Sequence, residues 1–310
     1  MPPQSVSIVE VGPRDGFQVE KSFIPTELKV RVVDLLSEAG LKTIEATSFV
    51  NPKVVPQMAD ADEVMSRISR RPGTTYKVLV PNLKGAERAI AANADGLELV
   101  IVASESFNRK NVGMSVDQSI AACAEIAALA ATRSVPFEVV IGTSFGCPIE
   151  GPVPEAQVER IARAVAAFGI SRLSLADSIG AGNPNQVARL VGRIRAALPV
   201  MPLSLHLHNT RGLGLANALA GFQAGIDTFD SGLGGLGGCP VFQGATGNVA
   251  TEDMVNLFEE MGVKTGVNLD KVREASRLMQ QFLDRPLPSY ILRVGTTAEL
   301  FAKAALARVS

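Results

Sequence analysis

Short apolar stretches alternate with amphipathic ones along most of this 310-residue chain. Residues 7–11 predict a strand, and Thr26 caps a helical pattern of apolar residues that ends at Gly40. Residues 97–103 are nearly all apolar, which is typical of a strand buried on both faces of a parallel sheet. The pattern therefore predicts repeated units of one strand and one helix.

The same alternation continues to residue 262. The other predicted strands are residues 43–49, 76–80, 137–142, 172–176, 202–208 and 228–231. The other predicted helices are residues 61–68, about 85–94, a long helix opened by the capping-box sequence Ser115-Val-Asp-Gln118, residues 154–168, a helix that begins at Asn183-Pro184, residues 215–223 and about 251–260.

Eight strand–helix pairs over residues 1–262 predict a closed (β/α)₈ barrel, the TIM-barrel form of the α/β class. Residues 263–310 hold two further helical patterns, 270–283 and 298–307. We expect them to form a C-terminal helical extension that packs on the barrel within the same domain.

Composition and charge narrow the classes of function. Hydrophobic residues make up 46% of the chain, which suits a large core, and the net charge of -1 predicts no nucleic-acid partner. No apolar run reaches the length of about 18 residues that spans a bilayer, so we expect no membrane partner. Three widely spaced cysteines, Cys123, Cys147 and Cys239, and no leader-like start predict free thiols in a cytoplasmic protein.

Only two histidines occur, His206 and His208, and both lie in the predicted seventh strand. Side chains two apart on a strand point to the same side, so the two imidazoles could chelate one metal ion. The alternative is a pair of histidines with hydrogen-bonding roles only, which is the commoner meaning of such a short motif.

Polar side chains follow nearly every predicted strand, where TIM barrels place their active sites. About half of them should simply cap the following helices. The group consists of Arg14, Asp15, Glu45, Ser48, Asn82, Ser104, Glu105, Ser144, Asp177, Ser178, His206, His208, Asn209 and Asp230.

A metal site would account for several of these groups together. Asp15 ends the first strand, which lies two strands from the seventh in a closed barrel, so its carboxylate could join His206 and His208. Nitrogen and oxygen ligands suit Mg²⁺, Mn²⁺ or Zn²⁺, any of which could polarise a substrate oxygen. Arg14 could stabilise an enolate or bind a carboxylate, or it could only pair with Asp15 in the turn.

A glycine-rich stretch, residues 231–240, carries Cys239. Such a loop is flexible and could deliver the thiol as an acid or base, whereas the alternatives are a buried structural cysteine or a ligand of a structural zinc. Downstream, an amide from residues 243–248 could complete a metal site, and Glu252 opens the last barrel helix, where it could act as a cap.

Several blocks, in this order, resemble the 3-hydroxy-3-methylglutaryl-CoA lyase family, whose fold is a (β/α)₈ barrel. The resemblance extends from residue 8 to about 270. The blocks are Gly12-Pro-Arg-Asp-Gly-Phe-Gln18, residues 44–50 with 52–58, His206-Leu-His208, Gly235-Leu-Gly-Gly-Cys-Pro240 and residues 243–253.

The resemblance implies a role for each matched residue. The implied metal ligands are Asp15, His206, His208 and Asn248. Arg14 would face the acyl carbonyl and stabilise the enolate, and Cys239 would be the catalytic thiol. The implied further polar groups of the substrate pocket are Glu45, Asp177 and Glu252.

The implied reaction is a metal-dependent retro-Claisen cleavage of 3-hydroxy-3-methylglutaryl-CoA to acetyl-CoA and acetoacetate. Asp15, His206 or a metal-bound water would remove the hydroxyl proton, and the resemblance does not decide among them. It also implies a homo-oligomer, a dimer or higher.

Four departures from the family pattern are expected around the acyl end of the pocket: Asn209 for Asp, Arg211 for Tyr, Ser231-Gly-Leu-Gly-Gly for Ser-Val-Ala-Gly, and Val241 for Tyr. They leave open a lyase for a different 3-hydroxyacyl-CoA. An aldolase or Claisen-type synthase for 2-oxo acids, and a catalytically silent barrel that binds a CoA ester, also stay open.

Overall fold

The computed structural model describes residues 3–238 and 247–307, and within them parallel strands close into a barrel in the order β1 to β8. This architecture confirms the predicted TIM barrel. The strands are β1 Ser7–Glu10, β2 Thr43–Ser48, β3 Thr75–Leu79, β4 Gly96–Val102, β5 Phe137–Gly142, β6 Arg172–Asp177, β7 Leu203–Leu207 and β8 Thr228–Ser231.

Helices follow the strands and cover the outside of the barrel. They are α1 Thr26–Glu38, α2 Ala61–Arg67, α3 Leu83–Ala91, α4 Glu105–Val112, α5 Val116–Thr132, α6 Glu155–Ala166, α7 Pro184–Ala197, α8 Gly214–Gln223, α9 Thr251–Glu260, α10 Leu269–Leu283, α11 Tyr290–Val294 and α12 Thr297–Ala307.

Local capping chemistry sets several of the helix ends. The predicted capping box at Ser115 and Gln118 is confirmed, and Asn183 caps α7 with Pro184 in the first turn. The prediction that Thr26 caps α1 is wrong, because Pro25 takes that position. The Thr26 hydroxyl instead donates to Asp60 Oδ2, which ties α1 to the start of α2.

Helix α4 was not predicted from the sequence, whose pattern indicates only one long helix between β4 and β5. Its residues are mostly polar and show no apolar helical spacing. Local signals nevertheless define it, because the Ser104 hydroxyl accepts a hydrogen bond from the amide of Phe107 and Gly113 ends the helix with a φ of 71°.

Closure of the barrel depends on pairing between its first and last strands. In that pairing Ile8 lies opposite Phe229 and Glu10 lies opposite Ser231. Behind β8, Phe258 of α9 packs against Phe229 and against Phe222 of α8, with ring centroids 5.2 and 5.5 Å apart. The closure brings the carboxyl ends of β1, β7 and β8 together at one mouth.

Both predicted C-terminal helices are present, as α10 and α12, whereas α11 between them was not predicted. The C-terminal helices pack unequally. Val272, Ala275 and Met279 of α10 are buried against the barrel, and Lys271 of α10 pairs with Glu38 of α1 at 2.9 Å. None of the residues of α12 is buried. The division of the chain at residue 262 stays a prediction.

In the described ranges, no individual helix combines the length and apolarity needed to cross a bilayer; only α4 and α5 taken together, bent by 56°, pass that test.

Replacing Phe258 by Ala should lower the free energy of unfolding by about 3–5 kcal/mol, because it empties the aromatic contact behind β8. Urea denaturation measures the change. The control is Phe301→Ala on α12, where the side chain is 66% exposed and the expected change is below about 0.5 kcal/mol. Equal losses in the two variants would contradict the described packing.

Candidate metal centre and active site

A single π-helical turn, Gly12–Gly16, follows β1 and places Arg14 and Asp15 in the barrel mouth, where both are buried. The turn lies against the loop after β8. A Cβ on Gly12 would clash with Leu233 Cδ2, so the approach of the two loops requires glycine at this position.

The two histidines share one side of β7 and its extension, as their spacing predicted. His206 Nε2 lies 3.1 Å from His208 Nε2, and His208 Nε2 lies 4.0 Å from Asp15 Oδ2. Among the described residues, Asp15, His206 and His208 each offer a ligand atom within 4.8 Å of the others, and all three are buried. This arrangement can hold a single metal ion.

Asn248 supplies a further test of whether these residues suit a metal. Its side-chain amide donates to Asp15 Oδ2 at 2.8 Å and to the carbonyl of Leu236 at 3.0 Å. Its Oδ1 is buried and has no hydrogen-bond partner. A buried carbonyl oxygen without a partner is costly, and such an oxygen is also a suitable ligand for a hard cation. The four residues therefore fit a divalent metal.

Outer contacts orient the candidate ligands. His206 Nδ1 lies 3.2 Å from Asp230 Oδ2, which leaves Nε2 directed at the centre. Gln18 donates to Asp15 Oδ1 at 3.0 Å. Asp230 was expected at a strand end and Gln18 within a motif, but the sequence did not predict this orienting role for either of them.

The electrostatics of the centre favour a charged Asp15 carboxylate beside a neutral His208 imidazole. Burial opposes ionisation of Asp15, but Arg14 and the histidines together lower its pKa. Burial and the neighbouring His206 lower the pKa of His208 to about 4, so this imidazole is neutral at physiological pH. Burial lowers the pKa of His206, but the interactions with Asp230 and Asp15 are larger together, so the pKa is raised. A neutral imidazole and an ionised carboxylate are the protonation states that bind a metal.

Arg14 lies among three carboxylates. Its Nη1 is 2.7 Å from Asp15 Oδ1, its Nε is 2.8 Å from Glu45 Oε2 and its Nη2 is 3.6 Å from Glu98 Oε1. The contact with Glu45 is close enough for an ion pair, but its atoms are poorly aligned for a hydrogen bond. Burial raises the pKa of Glu45 well above its usual value, although Arg14 opposes the shift.

A cavity of about 570 Å³ lies at this end of the barrel and reaches the metal centre. Arg14, Asp15, Glu98, His206 and His208 are its titratable lining residues, and its neutral polar lining residues are Gln18, Asn51, Asn82, Asn111 and Ser178. Apolar side chains form much of the remaining wall, among them Val50, Val54, Leu79, Val100, Phe107 and Val140. Cavities of this size and composition bind small molecules or parts of larger cofactors.

Comparison with known proteins agrees with this site. A family model described as HMGL-like matches residues 5–279. A mitochondrial hydroxymethylglutaryl-CoA lyase of Mus musculus is 44% identical over 289 residues, which are 93% of this chain and 89% of that protein. The chain belongs to the HMGL-like family.

Solved structures of this family have the same barrel. The crystal structure of the Bacillus subtilis HMG-CoA lyase is 43% identical with a TM-score of 0.93, and the similarity covers 95% of this chain and 99% of that one. The structure of an HMG-CoA lyase from Acinetobacter baumannii in complex with coenzyme A and 3-methylmalate is 42% identical with a TM-score of 0.91, and the similarity covers 95% and 96% of the two chains. The resemblance found in the sequence motifs is thereby confirmed.

The implied further pocket residues, Glu45, Asp177 and Glu252, are not among the residues that line the cavity. Asp177 accepts hydrogen bonds from the amides of Ala181 and Gly182 at 2.8 and 2.9 Å, and burial raises its pKa. Glu252 accepts a hydrogen bond from the amide of Gly234 at 2.9 Å. Both carboxylates hold loops at the barrel mouth, and the substrate-binding roles of Asp177, Glu252 and Glu45 stay predictions. Cys239, Val241 and Gln243 lie outside the described residues.

Glu10 was not singled out from the sequence, although it joins two loops of this HMGL-like barrel. Its Oε1 accepts hydrogen bonds from the amides of Gly12 and Leu233, both at 2.8 Å, and its Oε2 accepts one from the Thr251 hydroxyl at 2.6 Å. Burial raises the pKa of Glu10 to about 8. Only its charge within an apolar strand distinguishes it in the sequence.

Two of the departures from the family pattern act on the backbone. Asn209 Oδ1 accepts a hydrogen bond from the amide of Gly214 at the start of α8, and Arg211 donates to the carbonyls of Ile179 and Gly180. Neither residue lines the cavity. The expectation that Asn209 and Arg211 lie around the acyl end of the pocket stays a prediction.

Replacing Asp15 by Asn should lower the affinity for Mn²⁺ at least about 100-fold, because it removes the anionic ligand. Asp230→Asn should lower it about 10–100-fold, as expected for a residue that orients a ligand. Asp177→Asn is the matched control, with an expected change below about threefold. Isothermal titration calorimetry measures all three, and an equal loss for Asp15→Asn and Asp177→Asn would refute the assigned centre.

The raised pKa of Glu10 predicts a pH-dependent stability. Because the pKa is about 8 in the folded chain against 4.5 as a reference, the contribution of Glu10 is fully present below about pH 4.5 and is lost as the pH rises through about 8. The unfolding free energy of the wild type relative to Glu10→Gln should fall by roughly a few kcal/mol over this range.

Denaturant titration at several pH values tests this expectation. The control is Glu260→Gln, whose side chain is exposed on the last turn of α9. Its stability curve should run parallel to that of the wild type. If the unfolding free energy of Glu10→Gln also changes with pH in parallel to that of the wild type, Glu10 does not retain its proton in the folded chain.

Proposed function

We propose that this chain cleaves (S)-3-hydroxy-3-methylglutaryl-CoA to acetyl-CoA and acetoacetate with a divalent metal. The observation that carries the proposal is the cluster of Asp15, His206 and His208 beside Arg14 at the end of one cavity. The Acinetobacter baumannii relative, solved with coenzyme A and 3-methylmalate, supports it, because that pair of ligands combines a CoA group with a hydroxy diacid.

A bound metal would supply Lewis-acid polarisation of substrate oxygens at Asp15, His206, His208 and Asn248. Mg²⁺ or Mn²⁺ suits a set with two oxygen donors, and Zn²⁺ is the alternative. The metal ligands stand in the polar part of the cavity, so we place the hydroxyl and carboxylate end of the acyl chain there. The CoA portion would then extend along the apolar wall.

The proposed reaction begins when a base at the centre, Asp15 or His206, takes the proton of the 3-hydroxyl group. The C2–C3 bond then breaks, its electron pair passes to the thioester as an enolate, and the hydroxyl carbon becomes the ketone of acetoacetate. Arg14 stabilises the enolate oxygen through its guanidinium donors. Cys239 returns a proton to C2 and so completes acetyl-CoA.

The competing functions are a lyase for another 3-hydroxyacyl-CoA, an aldolase or Claisen-type synthase for 2-oxo acids, and a silent CoA-ester-binding barrel. All four departures from the family pattern raised the first of these, and Asn209 and Val241 raised the third. Asn209 and Arg211 make hydrogen bonds to backbone groups, and Val241 lies outside the described residues. The candidate metal ligands beside Arg14 make the cleavage reaction the function that the site supports best. A cytoplasmic location and a homo-oligomeric state remain predictions.

Purified protein with Mg²⁺ or Mn²⁺ should release acetyl-CoA and acetoacetate in equal amounts from 3-hydroxy-3-methylglutaryl-CoA. A panel of different 3-hydroxyacyl-CoAs and 2-oxo acids tests the competing functions, with products followed by mass spectrometry. Faster cleavage of a different thioester would replace the proposed substrate. No turnover on the whole panel would favour the silent barrel.

Cys239→Ser should lower kcat about 10²–10³-fold with little change in substrate affinity, because a hydroxyl is a much weaker acid than a thiol. Cys147→Ser is the matched control, since Cys147 is buried and its Sγ accepts hydrogen bonds from the amides of Ile149 and Glu150. Its kcat should stay within about threefold of the wild type. Similar losses in both variants would refute the role proposed for Cys239.

A further inference from the structure

A second group of charged side chains lies inside the barrel next to Arg14. Lys77 on β3 and Glu98 on β4 are 3% and 2% exposed. The Lys77 ammonium donates to Glu98 Oε2 and also contacts Glu138 Oε2 at 3.0 Å. Burial opposes the charge on Lys77, but the surrounding carboxylates raise its pKa well above the usual value, so Lys77 is a buried cation.

These charges connect directly to the candidate active site. Glu98 uses one carboxylate oxygen for Lys77, and the other lies 3.6 Å from Arg14 Nη2. Glu98 also lines the cavity, whereas Lys77 does not. Lys77 therefore contacts Glu98, and Glu98 in turn contacts Arg14.

A contribution to folding stability does not explain why the Lys77–Glu98 ion pair is buried here. Removing two charges from water costs about as much as their attraction returns, and apolar residues of similar volume often stabilise a fold equally well. A guanidinium, in contrast, has donors fixed in one plane, so its direction is set by the groups on its edges. Asp15, Glu45 and Glu98 occupy different nitrogens of Arg14.

We propose that Lys77 and Glu98 are positioning residues that hold the Arg14 guanidinium in the direction required for the reaction. Lys77 occupies one oxygen of Glu98 and keeps this carboxylate from closing fully onto Arg14. Glu98 in turn restrains Nη2 through a long contact, which leaves the donors of Arg14 available to the substrate. The inference rests on the function proposed above, and neither Lys77 nor Glu98 is assigned a proton transfer.

The test is a double-mutant cycle with Arg14→Lys, which keeps the positive charge but removes the planar fork. Lys77→Met and Glu98→Gln are each made in the wild-type and the Arg14→Lys backgrounds. In the wild-type background each should lower kcat about 10–100-fold and change KM less than about threefold, because a misdirected group mainly costs transition-state stabilisation.

In the Arg14→Lys background the same substitutions should lower kcat by less than about threefold, since positioning residues act only through the group they position. If Lys77→Met or Glu98→Gln lowers kcat by the same factor in both backgrounds, the inference is overturned and the residue has a general structural role. An unchanged kcat in the wild-type background would overturn it as well.

Lys29→Met is the matched control. Lys29 is also a buried lysine, it pairs with Asp60 at 2.6 Å, and it does not line the cavity. This variant should lower the melting temperature while kcat stays within about twofold of the wild type. A fall in kcat as large as that of Lys77→Met would indicate that any buried lysine matters equally.

The double variant Lys77→Met/Glu98→Met covers the case in which a single variant does not fold. Replacing both charges leaves neither partner buried alone, so its melting temperature should be close to that of the wild type. Its Mn²⁺ affinity should stay within about threefold, whereas kcat should remain about 10–100-fold low. A fully active double variant would overturn the inference.

The same measurements separate this inference from the proposed function. A wild-type protein that cleaves none of the thioesters overturns both. A wild-type protein that cleaves 3-hydroxy-3-methylglutaryl-CoA, together with equal factors in the two backgrounds, overturns only the roles of Lys77 and Glu98.

Discussion

Two imidazole nitrogens and one carboxylate oxygen, buried within 4.8 Å of one another, are the constraint around which the barrel mouth is built. Burying so many ligand atoms is costly unless hydrogen bonds or a cation join them. The neighbouring groups are arranged to keep them available: Asp230 orients His206, Gln18 contacts Asp15, and the burial of His208 keeps its imidazole neutral. The candidate metal centre thus depends on side chains from several strands at once.

Charge is distributed along the inside of this barrel as well as at its rim. Arg14 connects the carboxylate of the metal centre to Glu45 and Glu98, and Lys77 continues the series toward Glu138. Each cation lies between carboxylates, which lowers the cost of burying either sign. Asp15, Glu45 and Glu98 contact different nitrogens of Arg14 beside a cavity with both apolar and polar walls, which suits the proposed development of negative charge on a thioester.

Loop anchoring is the third element of the site. Glu10 joins the turn after β1 to the segment after β8, and Glu252 holds the same segment from α9. These contacts fix the described start of the glycine-rich stretch that leads to residue 239. Two carboxylates therefore set the position of the described loop segments after β1 and β8, while the strands provide rigidity.

The sequence by itself determined the local features: the eight strands, the side that His206 and His208 share, and the family motifs that contain Asp15 and Asn248. These follow from periodicity and from residue types at short range. Tertiary structure decided which polar groups form hydrogen bonds with each other. Glu10 and Leu233 are 223 residues apart in the sequence, and Asp15 and Asn248 are 233 apart. Such contacts exist only after the first and last strands pair, and no local pattern encodes the distance between two side chains on different strands.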